Sequence, residues 1–392
     1  MAARLYHPPA WFLCLLRRFW PIAQLPGWAA VLRYDDVAEV LTCSDVFVVP
    51  FDKEIARLND GAEPGTPFIL GIDDKAEHES QLKPVMQAFR RADVDAVVAR
   101  VSRDSAEKAL AGVRKIDAIR ELITGVPLEV CREYYGVKID DGQKFAYATI
   151  DVSGHLFGPP PIKPKDSIDA AAAYVRDVVD QAIRRETDRP SDGDTVLARL
   201  IRTHGANPAL VRAFLIGMIV GFVPTNTMAG GHILEVLLRR KEWMGAACEA
   251  AAAGDDDLLK RCLFEAMRFM PLNPGPFRLC SRDYTVAADT PRAHKIRKGT
   301  RVLASTMSAM FDSRQIEKPW EFNPRRPASD YMHFGYGMHW CVGFYIAQAQ
   351  IVETFRALLV RPGLRRARGA AGKLERRGLF PDHLHVEWGA QR

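Results

Sequence analysis

Close cysteine pairs are absent: Cys14, Cys43, Cys131, Cys248, Cys262, Cys280 and Cys341 are scattered along the chain, with no Cys-x-x-Cys among them. That spacing excludes a zinc or iron–sulfur framework of paired cysteines and fits a reducing cytoplasm. No long basic run interleaved with aromatics is present, and 54 Lys+Arg against 48 Asp+Glu leave a net charge of only +6, which excludes a nucleic-acid track. No Gly-x-Gly-x-x-Gly follows a strand and opens a helix, so a flavin or nicotinamide site within the chain is not expected. The apolar stretch Trp11 to Leu32 is interrupted by Arg17 and Arg18 and broken by Pro21 and Pro26. A spanning helix needs about 20 uninterrupted apolar residues, and a signal peptide needs a basic start and a small-residue cleavage site. The expectation is a cytoplasmic protein without a transmembrane segment, with a shallow interfacial contact of this stretch left open.

What is present is a chain of 392 residues, 48% hydrophobic and 26% charged, enough to bury a large core. Apolar residues at three and four spacing predict helices over Asp35–Thr42, Asp93–Leu110, Asp117–Tyr135, Ile168–Glu186, Thr195–His204, Pro208–Arg240 and Asp255–Arg268. Short strands are expected at Trp28–Arg33, Tyr284–Val286, Arg301–Ala304 and His383–Glu387. The result is a mainly α fold with small β-sheets. No internal repeat is visible, and the Pro-rich patch Gly158–Pro164 is too short for a linker, so residues 1–392 are read as one domain. In the longest candidate Asn207 is a good N-cap and Pro208 suits the first turn. At 1.5 Å per residue it would run roughly 50 Å, a central spine, and Pro224 in its middle should kink it.

The sharpest feature is Phe334-Gly335-Tyr336-Gly337-Met338-His339-Trp340-Cys341-Val342-Gly343, followed by a helical run from Phe344 to Leu358. The glycines allow a tight turn and close backbone approach. Cys341 is placed at a helix start, where free N–H groups and the dipole favour a thiolate. Gly343 would let a flat group lie against the helix, and Phe334 would shield the sulfur. A lone cysteine is more often a small buried hydrophobe. Here the context argues for a haem ligand instead, because a shielded thiolate beside a macrocycle is what an electron-donating axial ligand requires.

The decapeptide resembles the haem-binding signature of the cytochrome P450 family, matched at Phe334, Gly335, Gly337, His339, Cys341 and Gly343. A second element, Glu265-Ala-Met-Arg268, resembles the family's Glu-x-x-Arg helix, whose two side chains share one helical face. Phe322-Asn323-Pro324-Arg325-Arg326 is similar to the segment that completes the pair with an arginine; Arg325 is the candidate carried forward, with Arg326 beside it. The resemblance implies haem b (iron protoporphyrin IX) with Cys341 on the iron, under a long central helix. His78, Arg278 and His339 are implied as partners of its carboxylates. The arginine expected four residues after His78 is Leu82 here, with Lys83 nearest.

The likeness runs from the segment Trp28–Val37 to Gly378-Leu379-Phe380 and departs at the proton relay. There the family usually has Ala-Gly, an acid and a threonine, whereas this chain reads Val220-Gly221-Phe222-Val223-Pro224-Thr225-Asn226-Thr227. In the simplest register Val223 replaces the acid and Pro224 the threonine, leaving Thr225 and Asn226 as catalytic candidates; alternatively Thr225 recovers the usual place. The resemblance implies a monooxygenase acting on an apolar organic substrate, with electrons from NAD(P)H through a separate ferredoxin-type partner. The altered relay motivates a second reading, a peroxide-using or hydroperoxide-rearranging enzyme. Pocket walls are expected from Phe68, Ile69, Phe222, Val223, Pro276, Phe277, Leu379 and Phe380.

Overall fold

A computed structural model describes residues 10–61, 65–158, 164–205 and 207–389; most of the Pro-rich patch at 158–164 lies outside them. The central element is the helix Pro208–Arg239, on which Asn207 caps Leu210 N at 3.1 Å and Pro208 fills the first turn. From Val211 to Leu237 nearly all its side chains are buried. The helix is long and apolar enough to cross a membrane, but its apolar surface is spent on neighbouring helices instead. Around it pack Gly142–Phe157, Lys165–Asp188, Val196–His204 and Asp256–Phe269. The helix Phe344–Leu359 lies against Arg100–Leu110 and the preceding wide turns of Val94–Ala99.

The largest sheet has five strands in the order Ile22–Leu25, Trp28–Val31, Arg301–Ala304, Phe277–Cys280 and Phe47–Val48. Trp28–Val31 and Arg301–Ala304 run parallel, Trp28 opposite Arg301, and the other pairs are antiparallel. A three-stranded sheet joins Lys115–Asp117, His385–Glu387 and Arg365–Arg366.

Two expectations are corrected. The helix read over Asp117–Tyr135 begins as the strand Lys115–Asp117 and continues through a wide-turn segment, Ala118–Ile123, into Gly125–Glu133. Asp117 decides this, because its carboxylate accepts from Ile119 N and Arg120 N and its backbone pairs with His385. The strand read over His383–Glu387 is two strands broken at Leu384: Phe380–His383 pairs with Glu375–Arg377, and His385–Glu387 joins the other sheet. Helices also form at Ala10–Phe19, Asp52–Asp60, Lys75–Ala88 and Lys241–Ala253, of which the last two are only weakly amphipathic.

Candidate active site

The cysteine loop is shaped by two glycines in the left-handed region, Gly335 at φ +80° and Gly337 at φ +72°, a conformation that side chains with a Cβ rarely adopt. At Gly337 a Cβ would also meet Leu41 O at 2.6 Å, so the loop lies directly on the end of helix Tyr34–Thr42. Cys341 N–H donates to the Phe334 carbonyl at 2.9 Å and closes the loop. The Phe334 ring packs on Phe264 at 5.7 Å and edge-on against Phe344 at 4.7 Å.

Helix Phe344–Leu359 starts with Gly343 as N-cap, so Cys341 stands just ahead of it. The expected thiolate does not arise from the helix start alone. Burial pushes the free thiol up to about 11, and the Gly343 N–H offsets only part of that. A cation at the sulfur is what reverses this balance. A Cβ on Gly343 would lie 3.8 Å from the Cys341 sulfur.

The segment leading into this loop is tied down by a buried network centred on Glu265. Arg268 donates to it twice, at 2.9 and 2.7 Å, and Arg326 once, at 3.1 Å. Asn323 N and Tyr331 OH complete the carboxylate's partners at 3.0 and 2.9 Å. Arg268 and Arg326 spend their remaining N–H groups on the carbonyls of Met310, Pro319, Glu317, Lys318 and Glu321. The third member is therefore Arg326. Arg325, the residue carried forward from the sequence, is exposed; one step along the chain turns its side chain outward, and its backbone N–H caps Asn323 Oδ1 instead. His333, next to Phe334, donates from Nε2 to the Phe264 carbonyl, and burial pushes its pKa down to about 4, keeping the ring neutral.

Arg278, His339 and His78 share the acid Asp73 as their electrostatic neighbour. His339 Nε2 lies 3.1 Å from Asp73 Oδ1, and His78 and His339 stack edge to face at 5.3 Å. His339 Nδ1 is buried without a hydrogen-bond partner. Arg278, 5% exposed on the inner strand, donates only to its neighbour Phe277's carbonyl, and desolvation pushes its pKa down to about 10. Three buried basic side chains against one carboxylate leave unmatched donors, the surroundings that two haem carboxylates would complete. Lys83 is exposed and Leu82 packs into the core, so neither joins this cluster.

Across the fold, the central helix presents one turn without bulk. Gly221 is exposed although it lies mid-helix, and a Cβ there would meet nothing within 4 Å. Thr225, one turn on and on the same side, donates to the Gly221 carbonyl and, at 3.3 Å, to that of Phe222. Phe222 and Val223 point the other way into packed core, Phe222 facing Tyr135 at 5.7 Å. The open face therefore carries Thr225, and the position before it is Pro224. Asn226 donates to Phe222 O at 2.8 Å and keeps a buried, unpartnered Oδ1. The one acid on this helix, Glu235, is bound to Arg239 and Arg366.

The residues expected as pocket walls divide. Phe68 and Ile69 join Phe222 and Val223 in one cluster, with Phe68 seated on Gly217. Leu379 and Phe380 pack instead with Ile150 and Met228. Phe277 sits edge-on to Trp28 at 5.9 Å, after Pro276.

Comparison with known proteins agrees with this geometry. The profile described as Cytochrome P450 matches residues 253–361, the stretch that holds Glu265, Arg268, Arg326 and Cys341. Cytochrome P450 107B1 of Saccharopolyspora erythraea is 26% identical over 90% of this chain and 86% of its own. The crystal structure of CalO2 superposes with a TM-score of 0.81 at 21% identity, covering 98% of this chain and 96% of that one. The chain resembles cytochrome P450s in sequence, most closely over residues 253–361, and shares their fold along nearly its whole length. A bifunctional dioxygenase–epoxy alcohol synthase of Pyricularia oryzae is 36% identical over 118 residues, which is 29% of this chain and 10% of the fungal protein.

Sequence reasoning missed Asp73, Tyr331, Gly221 and Tyr135. Tyr135 is fully buried, with an unpartnered hydroxyl within electrostatic reach of Cys341. Gly221 had a signal, a glycine inside the altered relay; the other three stand in motifs that look ordinary until folded.

Proposed function

We propose that this chain is a haem-thiolate monooxygenase of the cytochrome P450 type that inserts one oxygen atom of dioxygen into an apolar small molecule. Electrons come from NAD(P)H through a separate ferredoxin-type protein. The observation that carries the reading is that the loop presenting Cys341 also presents His339 to the basic cluster, so one element offers both a sulfur ligand and carboxylate partners. Cys341 would hold the iron of haem b, with Arg278, His339 and His78 on its carboxylates and Phe334, Gly335 and Gly343 around the sulfur. Haem b with a thiolate ligand supplies dioxygen activation, the thiolate pushing electron density toward O–O cleavage.

The protein's own contribution is shape, dryness and proton handling. Gly221 keeps the central helix open, and Phe68, Ile69, Pro276, Phe277, Leu379 and Phe380 keep the surroundings apolar. Thr225 is the hydroxyl on the open face; because its proton is given to the Gly221 carbonyl, its lone pairs are free to orient a water. On the opposite side, Trp340, Tyr336 and Tyr345 are exposed, with Arg91 4.5 Å over the Tyr345 ring, a surface suited to an acidic electron donor.

The absence of an acid beside Thr225 favours a second reading, a peroxide-using or hydroperoxide-rearranging enzyme, and the epoxy alcohol synthase in the fungal relative's name lends it support. Removing a general acid–base group typically costs about 10²- to 10⁴-fold, so the two separate cleanly. Under the first reading, NADH oxidation with a surrogate ferredoxin system is coupled to product, and Thr225→Ala diverts it to hydrogen peroxide. Peroxide-driven turnover in the parent, unchanged by Thr225→Ala and with NADH oxidation leaking to peroxide in both, establishes the second.

A further inference from the structure

Residues 10–33 contain no Asp or Glu but include Arg17, Arg18 and Arg33. The helix Ala10–Phe19 folds from the start of this stretch with a buried arginine on its inner face and large apolar side chains on its outer face. Its charged Arg17 turns inward, only 6% exposed, and donates to Ser308 O at 2.6 Å, Ser308 Oγ at 2.9 Å and Phe311 O at 2.7 Å. Leu13 and Leu16 pack beside it, but the aromatic side chains and Leu15 turn outward: Trp11 is 64% exposed, Phe12 41%, Leu15 50% and Phe19 74%.

The patch continues along the chain through Trp20 and the hairpin that follows, where Leu25 and Trp28 are also exposed. Large apolar side chains gathered on one face of a folded protein mark a contact surface. Exposed cations border the patch, Arg18 lying 5.6 Å over Phe19 and Arg301 5.7 Å over Trp28.

We propose that this face docks the protein peripherally on an anionic lipid bilayer, with the aromatic side chains at headgroup depth and Arg18 and Arg301 against lipid phosphates. Tryptophan and phenylalanine with flanking arginine is the composition that settles at a membrane interface. Ten helical residues span about 15 Å, half the hydrocarbon thickness of about 30 Å, so the helix lies in the surface and does not cross it.

A second copy fits less well. A two-fold contact sets the same patch against itself, which would gather the bordering arginines of both copies at one seam, against a stretch that offers no carboxylate to pair them. The docking is independent of the reaction assigned above, because none of the residues placed at Cys341, the basic cluster or Thr225 belongs to the patch.

The test is sedimentation of the haem-loaded full chain with vesicles of phosphatidylcholine, alone or containing phosphatidylglycerol, and with each of two variants, Trp11→Glu/Phe19→Glu and Arg18→Gln. The altered side chains are exposed, so carbon monoxide spectra and melting should match the parent. The parent should bind the anionic vesicles and release from them in high salt. The double glutamate variant should lose at least tenfold in partitioning, and Arg18→Gln about fivefold, the worth of one cation at an anionic surface. Absence of vesicle binding by the parent, or equal binding by the double variant, overturns the proposal. A concentration-dependent dimer that the double variant dissolves, with no vesicle binding, overturns it in favour of self-association.

Discussion

Arg325 and Arg326 are adjacent in the chain and opposite in surroundings, and substitution should separate them. Arg326→Ala leaves the fully buried Glu265 one donor short, at a cost of about 3 to 5 kcal/mol, and it removes the donors that the carbonyls of Glu317, Lys318 and Glu321 now take from the guanidinium. Arg325→Ala removes an exposed side chain and should stay within about 0.5 kcal/mol of the parent. Thermal melting of the two holoproteins, side by side, checks this. At the sulfur the expectation is spectroscopic. Cys341→Ala should abolish the red-shifted band of the ferrous carbon monoxide adduct, and Cys341→His should retain haem with an ordinary band, because imidazole ligates iron but donates less charge. Persistence of the shifted band in the alanine variant would remove Cys341 from the iron. The pattern around Cys341 was legible as residue types at fixed spacing. Which arginine reaches Glu265 was not, because the outcome turns on the direction of one side chain in an irregular segment.

At the scale of the element, the central helix carries two glycines one turn apart with opposite demands. At Gly217 a Cβ would strike the Phe68 ring at 2.6 Å, while at Gly221 it would enter open space. Gly217→Ala should therefore destabilise by about 1 to 3 kcal/mol through overpacking, despite the gain of about 1 kcal/mol in helix propensity. Gly221→Ala should keep that gain, raise the melting temperature and shift the spectral response to apolar ligands, since its methyl group enters the proposed substrate space. A destabilised Gly221→Ala would mean that the open face closes in solution. The helix was readable because Asn207 and Pro208 mark its start and its apolar run is long. Its functional face was left open: counting from the family motif allowed either Pro224 or Thr225 in the threonine's place, and only the helical repeat sets Thr225 above Gly221. The wide turns of Ala118–Ile123 escaped for a related reason, since the apolar spacing there fits a regular helix and only Asp117's side chain, bonded to two backbone amides, diverts it.

At the scale of the whole molecule, the helical body is assembled from neighbours in sequence, whereas the sheets are closed by distant partners. Lys115–Asp117 waits for His385–Glu387, and Trp28–Val31 pairs in parallel with Arg301–Ala304. Periodicity found several of these strands but could not say which of them meet, because pairing across more than 250 residues leaves no local trace. That pairing sets a timetable for synthesis. A ribosome adding about 5 to 20 residues per second needs roughly 15 to 55 s after residue 31 to deliver the strand that Trp28–Val31 joins. Through that interval the acid-free, aromatic start of the chain has no sheet to belong to and no Ser308 or Phe311 carbonyl to take Arg17's protons. The nascent chain must pass its most adhesive segment through the crowded exit of the ribosome before its own partner exists.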